Sequence, residues 1–257
     1  MMTLLDEVKQ WAWQAALLLA VVPGVAHAAH PFVTDDTGTQ GKGGWQFELT
    51  ADQSRVKEDG VTSRNFEAGA ALTYGVTGTL DLGVAVPYVR TKTDGEAAVR
   101  GVGDATIQGK WRFYENESGW SIALKPAITL PTGNEDRGLG AGRSTASLGV
   151  LAQYQKDAWA WMVNGGYTHN NNKVGERRNL WNASTAVLYS PNDQWTLGAD
   201  VGVSRNPDVA TSRALSYGLL GVQYHINKDL DVDVGYRRTL HSGPVEHTVG
   251  AGLTVRW

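Results

Sequence analysis

Residues 230–236 read LDVDVGY and residues 249–257 read VGAGLTVRW. In the first stretch Leu230, Val232, Val234 and Tyr236 occupy one phase of a two-residue repeat, and Asp231, Asp233 and Gly235 the other. In the second, Val249, Ala251, Leu253, Val255 and Trp257 alternate with Gly, Thr and Arg. Successive side chains of a strand point to opposite faces, so each stretch has one apolar face and one polar face. The same period runs through the chain after Gly44, in twelve segments bounded by Gly, Asn, Asp, Pro and Ser clusters. Leu49, Leu82, Val84, Ile107, Val150, Val163, Leu197 and Leu220 belong to the apolar phase.

Alternation alone does not separate a soluble sandwich from a membrane barrel, because both have one apolar face. Connection lengths do. Tight turns at Thr77-Gly78, Glu115 to Ser118, Lys156 to Ala158, Ser190 to Asp193 and Asn227 to Asp229 alternate with long loops. The long set is Lys57 to Ser63, Thr91 to Gly101, Pro131 to Arg143, Asn170 to Arg178, Asn206 to Ser212 and His241 to Glu246. Short connections at one end and long ones at the other mark an outer-membrane barrel. Aromatic rings agree, since Trp45, Tyr74, Phe113, Trp120, Tyr154, Trp159, Tyr189, Trp195, Tyr224 and Trp257 gather at the tight-turn end, where an interfacial belt belongs. The expected fold is all-β: a transmembrane antiparallel up-and-down barrel of about twelve strands over residues 44–257.

Ahead of it, WAWQAALLLAVVPGV (11–25) and the small-x-small tripeptide Ala26-His27-Ala28 predict a signal peptide, residues 1–28, cleaved after Ala28. Residues 29–43 are too polar and irregular for a lipid-facing strand. They are expected either in the periplasm or inserted into the lumen as a plug. Composition narrows the classes further. Aromatic content excludes disorder, a net charge of −3 offers no footprint for nucleic acid, and the absence of cysteine removes thiolate metal sites and Cys nucleophiles.

Charged side chains of the polar phase must avoid hydrocarbon, so they are expected to line the lumen. The candidate lining comprises Glu48, Glu67, Asp81, Lys110, Arg112, Lys125, Asp231, Asp233 and Arg237. Cross-strand pairing is expected between Asp81 and Arg112 and between Asp231 and Arg256. The bland alternative is that these charges only neutralise one another inside a filled barrel. Pro131 to Arg143 is the expected gating loop, and its RGLGAGR run lacks the strand and helix that a phosphate loop requires, so a mobile external loop is expected there. His169, His225, His241 and His247 fall on separate strands or loops and show no metal-ligand or catalytic spacing. Neither cofactor nor metal is expected.

Gly103-Asp104 with Lys110, Arg112 and Phe113, then Leu130-Pro131-Thr132-Gly133, Arg137-Gly138-Leu139-Gly140 and Asn164-Gly165-Gly166-Tyr167, resemble the bacterial outer-membrane meta-pathway phenol-degradation (MetA-pathway) transporter family. Thr34-Asp35-Asp36 through Trp45-Gln46-Phe47-Glu48 is similar to it as well, so nearly the whole mature chain is covered. The resemblance implies a channel for small, often aromatic solutes. The expected function is passive diffusion through a narrow charged lumen in the outer membrane of a Gram-negative bacterium, without covalent chemistry. Two alternatives stand beside it: a structural or adhesive barrel acting through its external loops, and a lipid hydrolase using an outward Ser beside His169. Expected partners are outer-membrane lipid, the solute, and the barrel assembly machinery through the last strand ending at Trp257. A belt this complete suits a monomer.

Overall fold

The computed structural model describes residues 30–58, 60–241 and 243–257. The expected signal peptide lies outside them. Among the described residues, thirteen strand segments follow in order: β1 (Trp45–Glu58), β2 (Val61–Gly75), β3 (Leu80–Thr93), β4 (Val99–Val102), β5 (Ala105–Glu115), β6 (Trp120–Leu130), β7 (Thr145–Lys156), β8 (Trp159–His169), β9 (Asn179–Asn192), β10 (Trp195–Arg205), β11 (Ala214–Asn227), β12 (Leu230–Thr239) and β13 (Val245–Arg256).

All pairings are antiparallel, and β1 pairs with β2 on one side and with β13 on the other, from Gln46 opposite Arg256 to Lys57 opposite Val245. The sheet therefore closes on itself, and Trp45 and Trp257 exchange backbone hydrogen bonds of 2.9 and 3.1 Å at the seam. Closure leaves no backbone edge to face lipid unpaired. β4 and β5 both pair with β3, at Tyr88–Thr91 and Leu80–Ala85 respectively, so they form one position interrupted at Gly103 and Asp104. Twelve positions result, matching the twelve alternating segments.

The barrel is inside-out relative to a soluble domain. Leu220, Val234 and Ile107 on its outer face are 67%, 57% and 50% exposed, whereas Asp81, Asp200 and Asp233 are buried within. At the tight-turn end, Trp45–Tyr74, Trp120–Tyr154, Trp159–Tyr189 and Trp195–Tyr224 lie opposite each other on neighbouring strands, with ring centroids 4.5–4.9 Å apart. Paired rings of this kind give the belt both lipid contact and cross-strand packing.

Two connections depart from expectation, and one of them, Thr91 to Gly101, holds the end of β3 and most of β4. Lys57 to Ser63, read as a long loop, is almost entirely strand, because β1 runs to Glu58 and β2 resumes at Val61. Its polar residues suggested a loop, but beyond the hydrocarbon a β-ladder satisfies the backbone just as well and water solvates the side chains.

Candidate functional site

The lumen is not empty. The chain from His30 to Gly44 runs inside the barrel, and its polar groups are satisfied by the inward phase of the strands. At the tight-turn mouth the Gly43 N–H donates to the Gly75 carbonyl at 2.8 Å, the Thr39 hydroxyl donates to the Gly78 carbonyl at 3.0 Å, and the Gln40 N–H donates to the Asp81 carboxylate at 3.0 Å. Deeper in, the buried Asp35 carboxylate receives Lys110 at 2.9 Å and Lys125 at 2.5 Å, while Asp36 reaches Lys110 at 3.4 Å. Beyond this cluster, Asp200 accepts the N–H groups of Val33 and Thr34 and the hydroxyls of Thr34 and Tyr217, all at 2.7–3.0 Å. His30 ends the described segment between Asp233, its hydrogen-bond partner, and Asp52 at 3.8 Å.

Packing explains why this path fits. Phe32, 2% exposed, lies against Gly198 and Gly221, and Pro31 against Gly221 and Gly235. These glycines sit on β10, β11 and β12, and a Cβ on any of them would come within 2.4–2.6 Å of the segment's ring atoms or of Pro31 Cβ. Inward glycines on three successive strands thus leave a seat for the plug. The cavity bordered by Gln40, Gln46, Asp81, Gln108 and Lys110 measures about 10 Å³, room for a single water.

Every candidate lining residue faces the interior. Glu48, Asp81, Lys110, Lys125, Asp231 and Asp233 are buried, and Glu67, Arg112 and Arg237 are half-buried. Asp231 meets Arg256 at 2.6 Å. The Asp81–Arg112 pair does not form: Asp81 is opposite Lys110 and is taken by the plug backbone, and Arg112 turns to Glu115 at 3.4 Å. Register, which counting residues from the turns did not supply, decides this. The plug's own contributors, Asp35 and Phe32, and its acceptor Asp200 were missed as site residues. The legible signal for them was the row of inward glycines, unexplained by any lining role.

At the long-loop mouth, Pro131 to Arg143 folds inward rather than hanging free. Asp104, at the break between β4 and β5, accepts the Gly133 and Ala141 N–H groups at 2.8 and 2.7 Å. Leu139 is buried beside Gly101 and Gly103. Glu135 meets Lys173 of the neighbouring loop at 2.8 Å, and that ammonium holds its carboxyl below the usual carboxylate range. Because the folded value is lowered, this tether is present at neutral pH and is lost as pH falls through the carboxylate range. The two anchors differ in strength. At neutral pH, Asp104→Ala removes two charge-assisted bonds and is expected to speed tryptic cleavage at Arg137 at least tenfold, whereas Glu135→Gln, removing an exposed pair, speeds it by a factor of a few. Equal rates in both variants and the parent would mean that neither anchor holds the loop.

Residues 34–257 match the family described as "Putative MetA-pathway of phenol degradation". A comparison with curated proteins gives no match. Among solved structures, the chain is similar to the COG4313 outer membrane channel from Pseudomonas putida F1, at 16% identity and a TM-score of 0.73 over 86% of this chain and 98% of that one. It is similar to the KdgM porin in complex with disordered oligogalacturonate, at 8% identity and a TM-score of 0.56 over 80% and 97%. The translocator domain of the autotransporter NalP from Neisseria meningitidis shares 12% identity, with a TM-score of 0.55 over 98% of each chain. At these identities the likeness is one of fold.

Proposed function

The chain belongs to the "Putative MetA-pathway of phenol degradation" family, and from that membership and the lumen we propose a passive outer-membrane channel for small solutes, aromatic ones among them. One observation carries the reading. The lumen is occupied by the chain's own His30–Gly44 segment, which is seated by ion pairs, hydrogen bonds and one phenyl ring instead of by strand pairing. Such contacts are reversible, and the cavity beside Gln40 has room for about one water, so in this reading the segment shifts to let a solute pass there.

Once it shifts, the path is lined by opposed charges. Glu48, Asp81, Lys110 and Lys125 would meet a solute on the tight-turn side, Asp231 and Asp233 with Arg112 near the same mouth, and Glu67 and Arg237 towards the loops. Mixed charge of this kind selects by charge and size, with no chemical step. The polar groups released by the plug are the same ones that then face the solute, so gating and selection share residues.

The test uses planar bilayers together with proteoliposomes loaded with benzoate, an ionised aromatic that crosses lipid slowly. The full chain is expected to give small intermittent currents and measurable benzoate efflux. A form lacking residues 30–43 is expected to give larger, steady currents. A barrel that folds yet stays silent in both forms would overturn the channel in favour of a structural role.

A further inference from the structure

Above the apolar band, the outer face carries a row of basic side chains. Arg238 is directly opposite His247, His247 opposite Arg55, Arg55 opposite Arg64, and Arg64 opposite Lys92, across β12, β13, β1, β2 and β3. Directly opposed residues of antiparallel strands share a face, and here it is the outer one, continuous with Tyr236, Val249, Gln53, Phe66 and Arg90. Arg90, two residues below Lys92, is in turn opposite Arg100 of β4. Like charges set opposite one another weaken a sheet, so Arg55, Arg64 and Lys92 in succession are an arrangement that the barrel does not need for its own stability. Among the described residues, Asp94 joins this row, meeting Arg64 at 3.0 Å.

The position of the row indicates what it meets. Ten residues separate Arg55 from Trp45 in the belt, about 33 Å along a strand at ~3.3 Å per residue and about 25 Å along the barrel axis at a tilt near 40°. That is the height of the apolar band of an outer-membrane barrel, so the row lies at the headgroup level on the long-loop side. The outward phases of β6, β7, β8 and β9 end at that level in Leu130, Ala146, His169 and Asn179, without Lys or Arg, while β10 ends in Arg205, which donates to the Asn179 carbonyl at 3.3 Å. Guanidinium groups engage phosphate in bidentate fashion, and basic clusters at a membrane surface recruit anionic headgroups.

We infer that this face is a binding site for a phosphorylated glycolipid headgroup of the outer leaflet, of the lipid A class, held between β12 and β3. The inference rests on the long loops lying on the extracellular side, as they do in outer-membrane barrels, and is independent of whether the lumen conducts.

Purified full chain in detergent is titrated with diphosphorylated lipid A, with fully dephosphorylated lipid A, and with inorganic phosphate, reading bound lipid by native mass spectrometry. The parent is expected to bind diphosphorylated lipid A at least tenfold more tightly than the dephosphorylated form. The variant Arg55→Gln/Arg64→Gln/Arg238→Gln should lose at least tenfold. Lys42→Gln/Lys156→Gln/Lys228→Gln removes the same net charge at the opposite mouth and should stay within twofold of the parent. Equal binding of the two lipids, or unchanged binding in the first variant, overturns the site. Displacement of lipid A by millimolar inorganic phosphate overturns the lipid as its occupant. Gel mobility with and without heating verifies that each variant is folded, and the parent's comparison of the two lipids decides the question even if the triple variant fails to fold. Conductance recorded in parallel separates failure of this site from failure of the channel.

Discussion

An Asp35→Asn variant is expected to pass at least ten times the mean current of the parent in planar bilayers. Asp35 is 3% exposed and shared by two ammonium groups, Lys110 at 2.9 Å and Lys125 at 2.5 Å. Asp36 reaches only Lys110, and at 3.4 Å. Breaking a buried ion pair by removing one partner costs about 3–5 kcal/mol, because the remaining charge stays desolvated. Here the strain can be relieved without unfolding the barrel, since withdrawal of the plug lets water reach both lysines. A penalty of that size corresponds to a shift of about a hundredfold or more in the seated-to-released ratio. Adding Lys110→Met and Lys125→Met to Asp35→Asn removes the stranded charges along with their partner, and the current should fall back towards the parent's. An unchanged current in a folded Asp35→Asn barrel would show that this segment does not control the path.

Leu220→Arg is the second large effect, and it separates lipid from water as the solvent of the outer face. Leu220 is 67% exposed, which on a soluble protein would make the substitution almost neutral. It lies on β11 opposite Ala199, four residues above Tyr224 of the belt, well inside the apolar band. A charge at that depth costs about 2–4 kcal/mol in a barrel. Urea unfolding in bilayers should register a loss of this size, while Val209→Arg, 60% exposed in the loop between β10 and β11, should stay within about 0.5 kcal/mol of the parent. Two equally mild results would mean that the outer face does not contact hydrocarbon.

The inward phase was readable because period two separates the phases without any knowledge of which strands meet. Glu48, Lys110 and Asp233 could be placed inside on that ground alone. Their partners could not be read, because pairing depends on register. Asp231–Arg256 was anticipated and forms, at 2.6 Å. Asp81–Arg112 was anticipated by the same reasoning, but Asp81 is opposite Lys110 and its carboxylate accepts the Gln40 N–H. β4 was also invisible, since Val99–Val102 lies almost wholly in the stretch Thr91 to Gly101 that reads as loop, and four residues are too few to establish an alternation.

Alternation, turn spacing and the aromatic ends determined that this chain is a closed twelve-position barrel with charges inside, because each is a local pattern imposed by the solvent on either side of a sheet. The course of residues 30–44 was decided only by the tertiary structure. A polar irregular segment looks the same whether water or a lumen satisfies its backbone. Only the assembled wall, with Asp200, Lys110 and Lys125 converging on it and Gly198, Gly221 and Gly235 making room, selects between them.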